Sequence, residues 1–232
     1  HSLRRRQRQM CIRDRLIMYL SRVEIDLKNR RKISDLSHLG AYHNWVESCF
    51  PKYQDKDNRP RNLWRIDVLN GKSYLLVLSE QKPDLEKLTK YGVLGTAITK
   101  KYDDFLDKLY EGEILRFRLT ANPSRKISVP GQRQGRIMPH ITIDQQKKWF
   151  LDRTESNGFK IVKTQENYPD VDIVNREWKL LRHKGSGTAR LSCVTFEGIL
   201  EVTDLKKFKN AMISGIGREK AYGMGLLTVI PM

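Results

Sequence analysis

Cysteine is scarce in this chain of 232 residues. Only Cys11, Cys49 and Cys193 are present, far apart and none in a C-x-x-C pair. That argues against a zinc site and against a disulfide framework. Free thiols without a secretory leader fit a reducing, cytoplasmic setting. Long apolar runs are missing too. The longest, at 74–78 and 224–230, are strand-sized, whereas a membrane span takes roughly 20 residues. No histidines and carboxylates cluster at metal-ligand spacing, so neither a metal nor another cofactor is expected. Acidic residues are in deficit, with 27 Asp and Glu against 44 Lys and Arg and a formal net charge of +17. A surplus of that size favours a polyanion, either nucleic acid or an acidic membrane surface. The plainer reading is a soluble basic protein with well-spread lysines.

Residues 1–17 stand apart. They carry six Arg and one Asp, +5 of the +17. They lack the apolar stretch of a signal peptide. One reading is a basic RNA-binding arm. The other rests on RRRQRQMCIRDR, which resembles translated sequencing-adapter read-through and makes Met18 the expected start. Without the segment the charge is 17 − 5 = +12, so the polyanion argument is unaffected.

From residue 18 the periodicity is informative. Residues 18–27 alternate apolar and polar, as a strand does. Residues 34–50 switch to helical spacing through Leu36, Leu39, Tyr42, Val46, Cys49 and Phe50, and Pro51 stops the run. Strands at 63–69 and 73–79 flank Asn70-Gly71, a strong hairpin signal. A short helical stretch at 83–90, a strand at 93–101 and a short helix at 102–110 follow. The second half repeats that order loosely: a strand at 114–120, a long basic loop at 122–140, a helix at 143–157 and a strand at 159–163. Further strand segments at 178–182 and 189–202, a helix at 205–214 and a closing strand at 226–230 complete it. Two successive βαββαβ patterns predict an α+β protein of two tandem ferredoxin-like, RRM-like domains, 18–112 and 113–232.

Three features could carry chemistry. Residues 215–225 hold Gly215, Gly217, Gly223 and Gly225 with Arg218 and Lys220 between them. Such a loop can offer N–H groups to phosphates, or it can be a tight turn that needs glycine for packing. It lacks the Gly-Lys-Ser/Thr of a P-loop, and it follows a helix where a dinucleotide fingerprint follows a strand. His43 lies at the rim of the first helix's apolar face, either as a packing residue or as a group that moves a proton near neutral pH. Basic residues gather at 122–140 (Arg125, Lys126, Arg133, Arg136) and around 179–190 (Lys179, Arg182, Lys184, Arg190), which suits phosphate contact or a solvated surface. The aromatic signature of single-strand RNA readers is absent.

The chain from Met18 resembles the CasE-type CRISPR RNA endoribonucleases of the type I-E effector complex. The resemblance rests on MYLSRVEIDL at 18–27, RFRLTANP at 116–123, Thr195-Phe196-Glu197-Gly198-Ile199-Leu200 and GIGREKAYGMGLLTVIP at 215–231. It implies tandem ferredoxin-like domains and metal-independent cleavage of the repeat hairpin of precursor CRISPR RNA. It implies attack by the RNA's own 2′-OH, with 2′,3′-cyclic phosphate and 5′-OH products, and retention of the hairpin within the effector complex. His43 falls where the family's first-helix histidine transfers a proton. Relatives often place a tyrosine three residues earlier, where this chain has Gly40. The candidate catalytic set is therefore His43, Tyr42 and Lys220, with Arg218 beside them. Arg125, Lys126, Arg133, Arg136, Arg182, Lys184 and the loop glycines are candidate RNA contacts. The alternative is a non-catalytic, structured-RNA-binding subunit of the same kind of complex.

Overall fold

A computed structural model describes residues 17–51, 60–128, 135–183 and 187–232. Its first half runs β1 (Tyr19–Glu24), α1 (Leu39–Ser48), β2 (Leu63–Leu69), β3 (Lys72–Ser79), α2 (Leu85–Leu88) and β4 (Ile98–Lys101). These strands form an antiparallel sheet in the order β2-β3-β1-β4. Asn70 and Gly71 turn β2 into β3, both with positive φ (51° and 74°), as a two-residue primed turn requires. The first helix starts at Leu39, five residues later than the periodicity predicts. Upstream, the Asn29 carboxamide accepts the Lys32 N–H at 3.1 Å. The Tyr91 hydroxyl donates to Asp35 at 3.2 Å. Both hold residues 29–37 in turns.

After α3 (Asp103–Leu106), the second half runs β5 (Ile114–Ala121), β6 (Ser124–Ile127), β7 (Arg136–Pro139), α4 (Ile143–Leu151) and β8 (Phe159–Ile161). It continues through β9 (Val171–His183), β10 (Gly187–Val202), α5 (Leu205–Ser214) and β11 (Leu227–Pro231). The second sheet is ordered β11-β5-β10-β8, with β9 paired along the length of β10. Each half is thus a ferredoxin-like βαββαβ unit. The long basic loop expected at 122–140 contains a small hairpin, β6 against β7. Its strands are four residues long, too short for a clear alternation.

The helices begin where their caps dictate. Thr142 accepts the Gln145 N–H ahead of α4, and Asp204 accepts the Lys207 N–H ahead of α5. Helix α5 buries Phe208, Ala211 and Met212, one face at intervals of three and four. Phe117, Phe150, Phe159, Phe196 and Phe208 fill the core of the second sheet. Complete burial of a phenylalanine contributes roughly 1.5–3 kcal/mol. The two cores are not independent. Met18, Leu63 and Leu78 of the first half pack into the second core. Leu181, Cys193 and Met224 of the second half close the core beneath α1. Among the described residues no helix is long and apolar enough to cross a membrane.

Candidate active site and basic cleft

The site is built where α1 meets the glycine-rich loop. Helix α1 buries Leu39, Trp45 and Val46, which leaves His43 half-buried at its rim, the place its spacing predicts. The Tyr222 ring stands 5.5 Å from the imidazole, centroid to centroid, with the planes at 60°. Tyr42, one residue earlier, turns into the protein. It stacks on Trp64 at 5.9 Å and lies 6.4 Å from Trp45. Burial raises its phenol above the ordinary value. Its surroundings are aromatic packing.

Gly40 has a steric explanation. A Cβ there would lie 3.0 Å from the His38 ring and 3.2 Å from the Arg182 carbonyl of β9. The end of β9 runs against α1 at this position, so a Cβ there fits only if the His38 ring gives way by a few tenths of an ångström. The same approach brings Arg182, exposed at the end of β9, to the His43 end of the helix.

The loop after α5 is held by its own glycines and by two tryptophans. The Ile216 N–H donates to the Gly225 carbonyl at 2.9 Å, and the Gly225 N–H donates to the Thr120 carbonyl at 2.7 Å. Gly215 and Gly225 close on each other, Gly217 lies against Trp149, and Gly223 lies flat on Trp64, where a Cβ would sit 2.5 Å from the ring. All four have positive φ. Packing and positive φ thus give each of these four positions a reason to be glycine. The Trp64 indole donates to the Ala221 carbonyl at 2.9 Å, fixing the turn Lys220–Tyr222 beside α1. The Lys220 ammonium donates to the Ser214 carbonyl at the end of α5, at 2.8 Å. Burial, and then the charge of Arg61, lowers its pKa below that of an ordinary lysine.

On the other side of the loop lies a cleft of about 420 Å³ between the β6–β7 hairpin and α4. Arg125, Lys126, His140, Lys148, Arg153 and Arg218 line it, against the single carboxylate of Asp152. Burial, and then the charges of Arg125 and Arg153, lowers the His140 pKa. The Arg153 guanidinium lies over Trp149 at 4.2 Å and donates to that residue's carbonyl at 2.6 Å. Of the predicted RNA contacts, Arg125, Lys126 and Arg218 converge here. Arg136 is exposed on β7. Arg133 and Lys184 lie outside the described residues. Sequence reasoning missed Tyr222, Trp64, Lys148 and Arg153. Trp149 and Arg153, four apart at the end of a helix, were the available signal for the last. Among the described residues no three His, Cys, Asp or Glu side chains converge as a metal-ligand set.

A protein-family model described as "CRISPR associated protein" matches residues 18–231. The chain is 28% identical over 221 residues to the CRISPR-associated endoribonuclease Cse3 of Thermus thermophilus, covering 92% of this chain and all of the relative. It is 28% identical over 228 residues to the Cascade subunit CasE of Escherichia coli (strain K12), covering 93% of this chain and all of that one. Among solved structures, Thermus thermophilus Cse3 bound to an RNA representing a pre-cleavage complex superposes with a TM-score of 0.77 at 26% identity, over 93% of this chain and all of that one.

Proposed function

This chain belongs to the CRISPR-associated protein family, and from that premise we propose that it is an endoribonuclease that cuts the repeat hairpin of precursor CRISPR RNA. It keeps the product as a subunit of a type I-E effector complex. Its similarity to an endoribonuclease and to a Cascade subunit over their whole lengths supports the reaction class and the partners. The observation that carries the local reading is the course of the glycine-rich loop. One end puts Arg218 in the basic cleft and the other puts Tyr222 against His43. A phosphate backbone held in the cleft therefore passes the one histidine on α1 that stands at the loop.

The chemistry is a transfer within the RNA. The 2′-oxygen attacks the adjacent phosphorus as its proton leaves, and the bond from phosphorus to the 5′ oxygen breaks as that oxygen gains a proton. The products are a 2′,3′-cyclic phosphate and a 5′-OH. His43 moves one of the two protons. Arg218 and Lys220 offset the charge that develops on the phosphoryl oxygens. Lys220 does so after giving up the Ser214 carbonyl. Tyr42 supports α1 by stacking on Trp64. Arg125, Lys126, Arg136, Arg153, Arg182 and His140 hold the duplex backbone, with Arg133 and Lys184 as further candidates.

Cleavage of a labelled repeat hairpin in EDTA tests this, with the wild type set against His43→Ala. Wild-type cutting at one position, with a mutant that binds equally well and is slower by about 100-fold or more, is the expected result. A wild type that binds and does not cut makes the protein an RNA-holding subunit. A mutant that cuts at the wild-type rate removes His43 from the mechanism.

A further inference from the structure

Tyr222 is not among the residues that the family resemblance brings to the reaction, yet its ring packs on the imidazole. From this contact we infer that Tyr222 is a positioning residue: it fixes the orientation of His43, and Trp64 holds it there through the Ala221 carbonyl. The inference rests on the assignment of His43 as the proton-transfer group.

The observations form one continuous chain. Trp64 belongs to β2 and is 1% exposed, so its indole is an immobile reference point. It donates to the Ala221 carbonyl at 2.9 Å, and Gly223 packs flat on its ring. The turn Lys220–Tyr222 is therefore pinned on both sides of Tyr222. A third contact on the indole comes from α1 itself, where Tyr42 stacks at 5.9 Å. One ring in the first sheet thus sets the height of the helix carrying His43 and of the turn carrying Tyr222. The 5.5 Å approach of the two rings follows from that common support.

The arrangement has a chemical consequence. An imidazole at a helix rim can turn about its two side-chain bonds, and proton transfer needs one of its nitrogens within hydrogen-bond reach of a reacting oxygen. An aromatic wall 5.5 Å away, at 60° to the ring plane, narrows that freedom before RNA arrives. Misplacing a catalytic group by about 1 Å can cost on the order of 100-fold in rate. Binding changes little, because most of the phosphate-holding cations line the cleft on the other side of the loop. The ring is what matters in this reading, so a phenylalanine serves in place of the tyrosine.

The test compares Tyr222→Leu, Tyr222→Phe and Trp64→Phe in the full chain. Single-turnover cleavage of the labelled repeat hairpin gives the rate. Binding is read with the same RNA carrying a 2′-deoxy sugar at the cut site. The His43 ring resonances are followed by NMR without RNA. Tyr222→Leu is expected to lower the rate about 10- to 100-fold, to leave Kd within about 2-fold and to move the His43 resonances. Tyr222→Phe keeps most of the rate. Trp64→Phe retains a ring but loses the indole N–H donor, and falls between the two, with the same shift in His43. A Tyr222→Leu protein that cuts as fast as wild type overturns the proposal, as do unmoved His43 resonances. A loss equally severe in Tyr222→Phe overturns it in favour of a role for the hydroxyl. Should wild type cut and His43→Ala cut equally well, the His43 assignment fails, and this role fails with it. A positioning failure alone leaves His43→Ala inactive.

Discussion

At the scale of the residue, environment decides which chemically capable groups stay available. Cys49 and Cys193 are both buried, and burial pushes each thiol up to about 12. Almost no thiolate exists at neutral pH, and both sulfurs are shielded from reagents by burial. Residue-resolved mass spectrometry is expected to find both unmodified after iodoacetamide treatment of the folded protein and both alkylated after unfolding. His140 gives a prediction of the opposite kind. In the free protein, burial and then the Arg125 and Arg153 charges hold its pKa below the usual histidine range. A phosphate entering the cleft favours the protonated form, so the pKa of the complex is higher. Between the two values the complex binds more protons than the free protein. Affinity for hairpin RNA therefore rises as pH falls through the upper value, and levels off below the lower one. Replacing His140 by Gln is expected to flatten that slope in a filter-binding titration from about pH 7.5 to about 5.5, the range in which histidines titrate. His43 was legible in the sequence as a rim residue because helical arithmetic places it there. Tyr222 was not, because nothing in a linear chain brings residue 222 to residue 43.

At the scale of the element, the secondary structure follows local chemistry closely where that chemistry is strong. Asn70-Gly71 specifies the β2–β3 turn, and residues 205–214 form the helix that their spacing predicts. The weak places are short elements and element bounds, as in β9, which begins seven residues before the expected strand. The β6–β7 hairpin has four residues per strand, and its basic residues read as loop. The glycine-rich loop shows how packing can require glycine at positions where spacing also suggests phosphate contact. Gly223→Ala places a Cβ 2.5 Å from Trp64 at a φ of +81°. The backbone strain and the clash together are expected to cost about 2–4 kcal/mol in denaturant unfolding. Cleavage should slow as well, since Tyr222 is the adjacent residue. On the hairpin, Arg125→Ala with Lys126→Ala leaves the fold intact, because both side chains are exposed. Removing one phosphate-binding cation lowers the salt slope of RNA binding by about 1. A slope lower by about 2 for the double variant, in affinities measured across a KCl series, is the expected outcome.

At the scale of the whole molecule, the two βαββαβ halves are joined by a buried cation. Arg65 is 2% exposed. Its Nε and Nη2 grip the Asp67 carboxylate at 2.7 Å each. Its remaining donors reach the second half: the Arg118 and Leu226 carbonyls at 2.9 Å and the Thr228 hydroxyl at 2.8 Å. All five guanidinium N–H groups are engaged, which a lysine with three donors cannot reproduce. Without Arg65, Asp67 keeps Arg118 at 3.5 Å. Arg65→Ala is expected to destabilise the protein by about 3–5 kcal/mol. Arg65→Lys should recover little of that, as measured by thermal or denaturant unfolding. Because His43 and the glycine-rich loop come from opposite halves, loosening this link should also lower the cleavage rate of whatever protein stays folded. The sequence by itself determined the order of strands and helices outside the β6–β7 hairpin, the primed turn at Asn70-Gly71, the basic surplus and the place of His43 on its helix. These depend on periods of two to four residues and on composition. Only the tertiary structure decided that Tyr42 stacks on Trp64, that β9 runs beside Gly40 and that Tyr222 faces His43. It also decided that Arg125, His140, Arg153 and Arg218 share one cleft. Each of these depends on contacts between residues far apart in the chain, and packing, which periodicity does not encode, selects them.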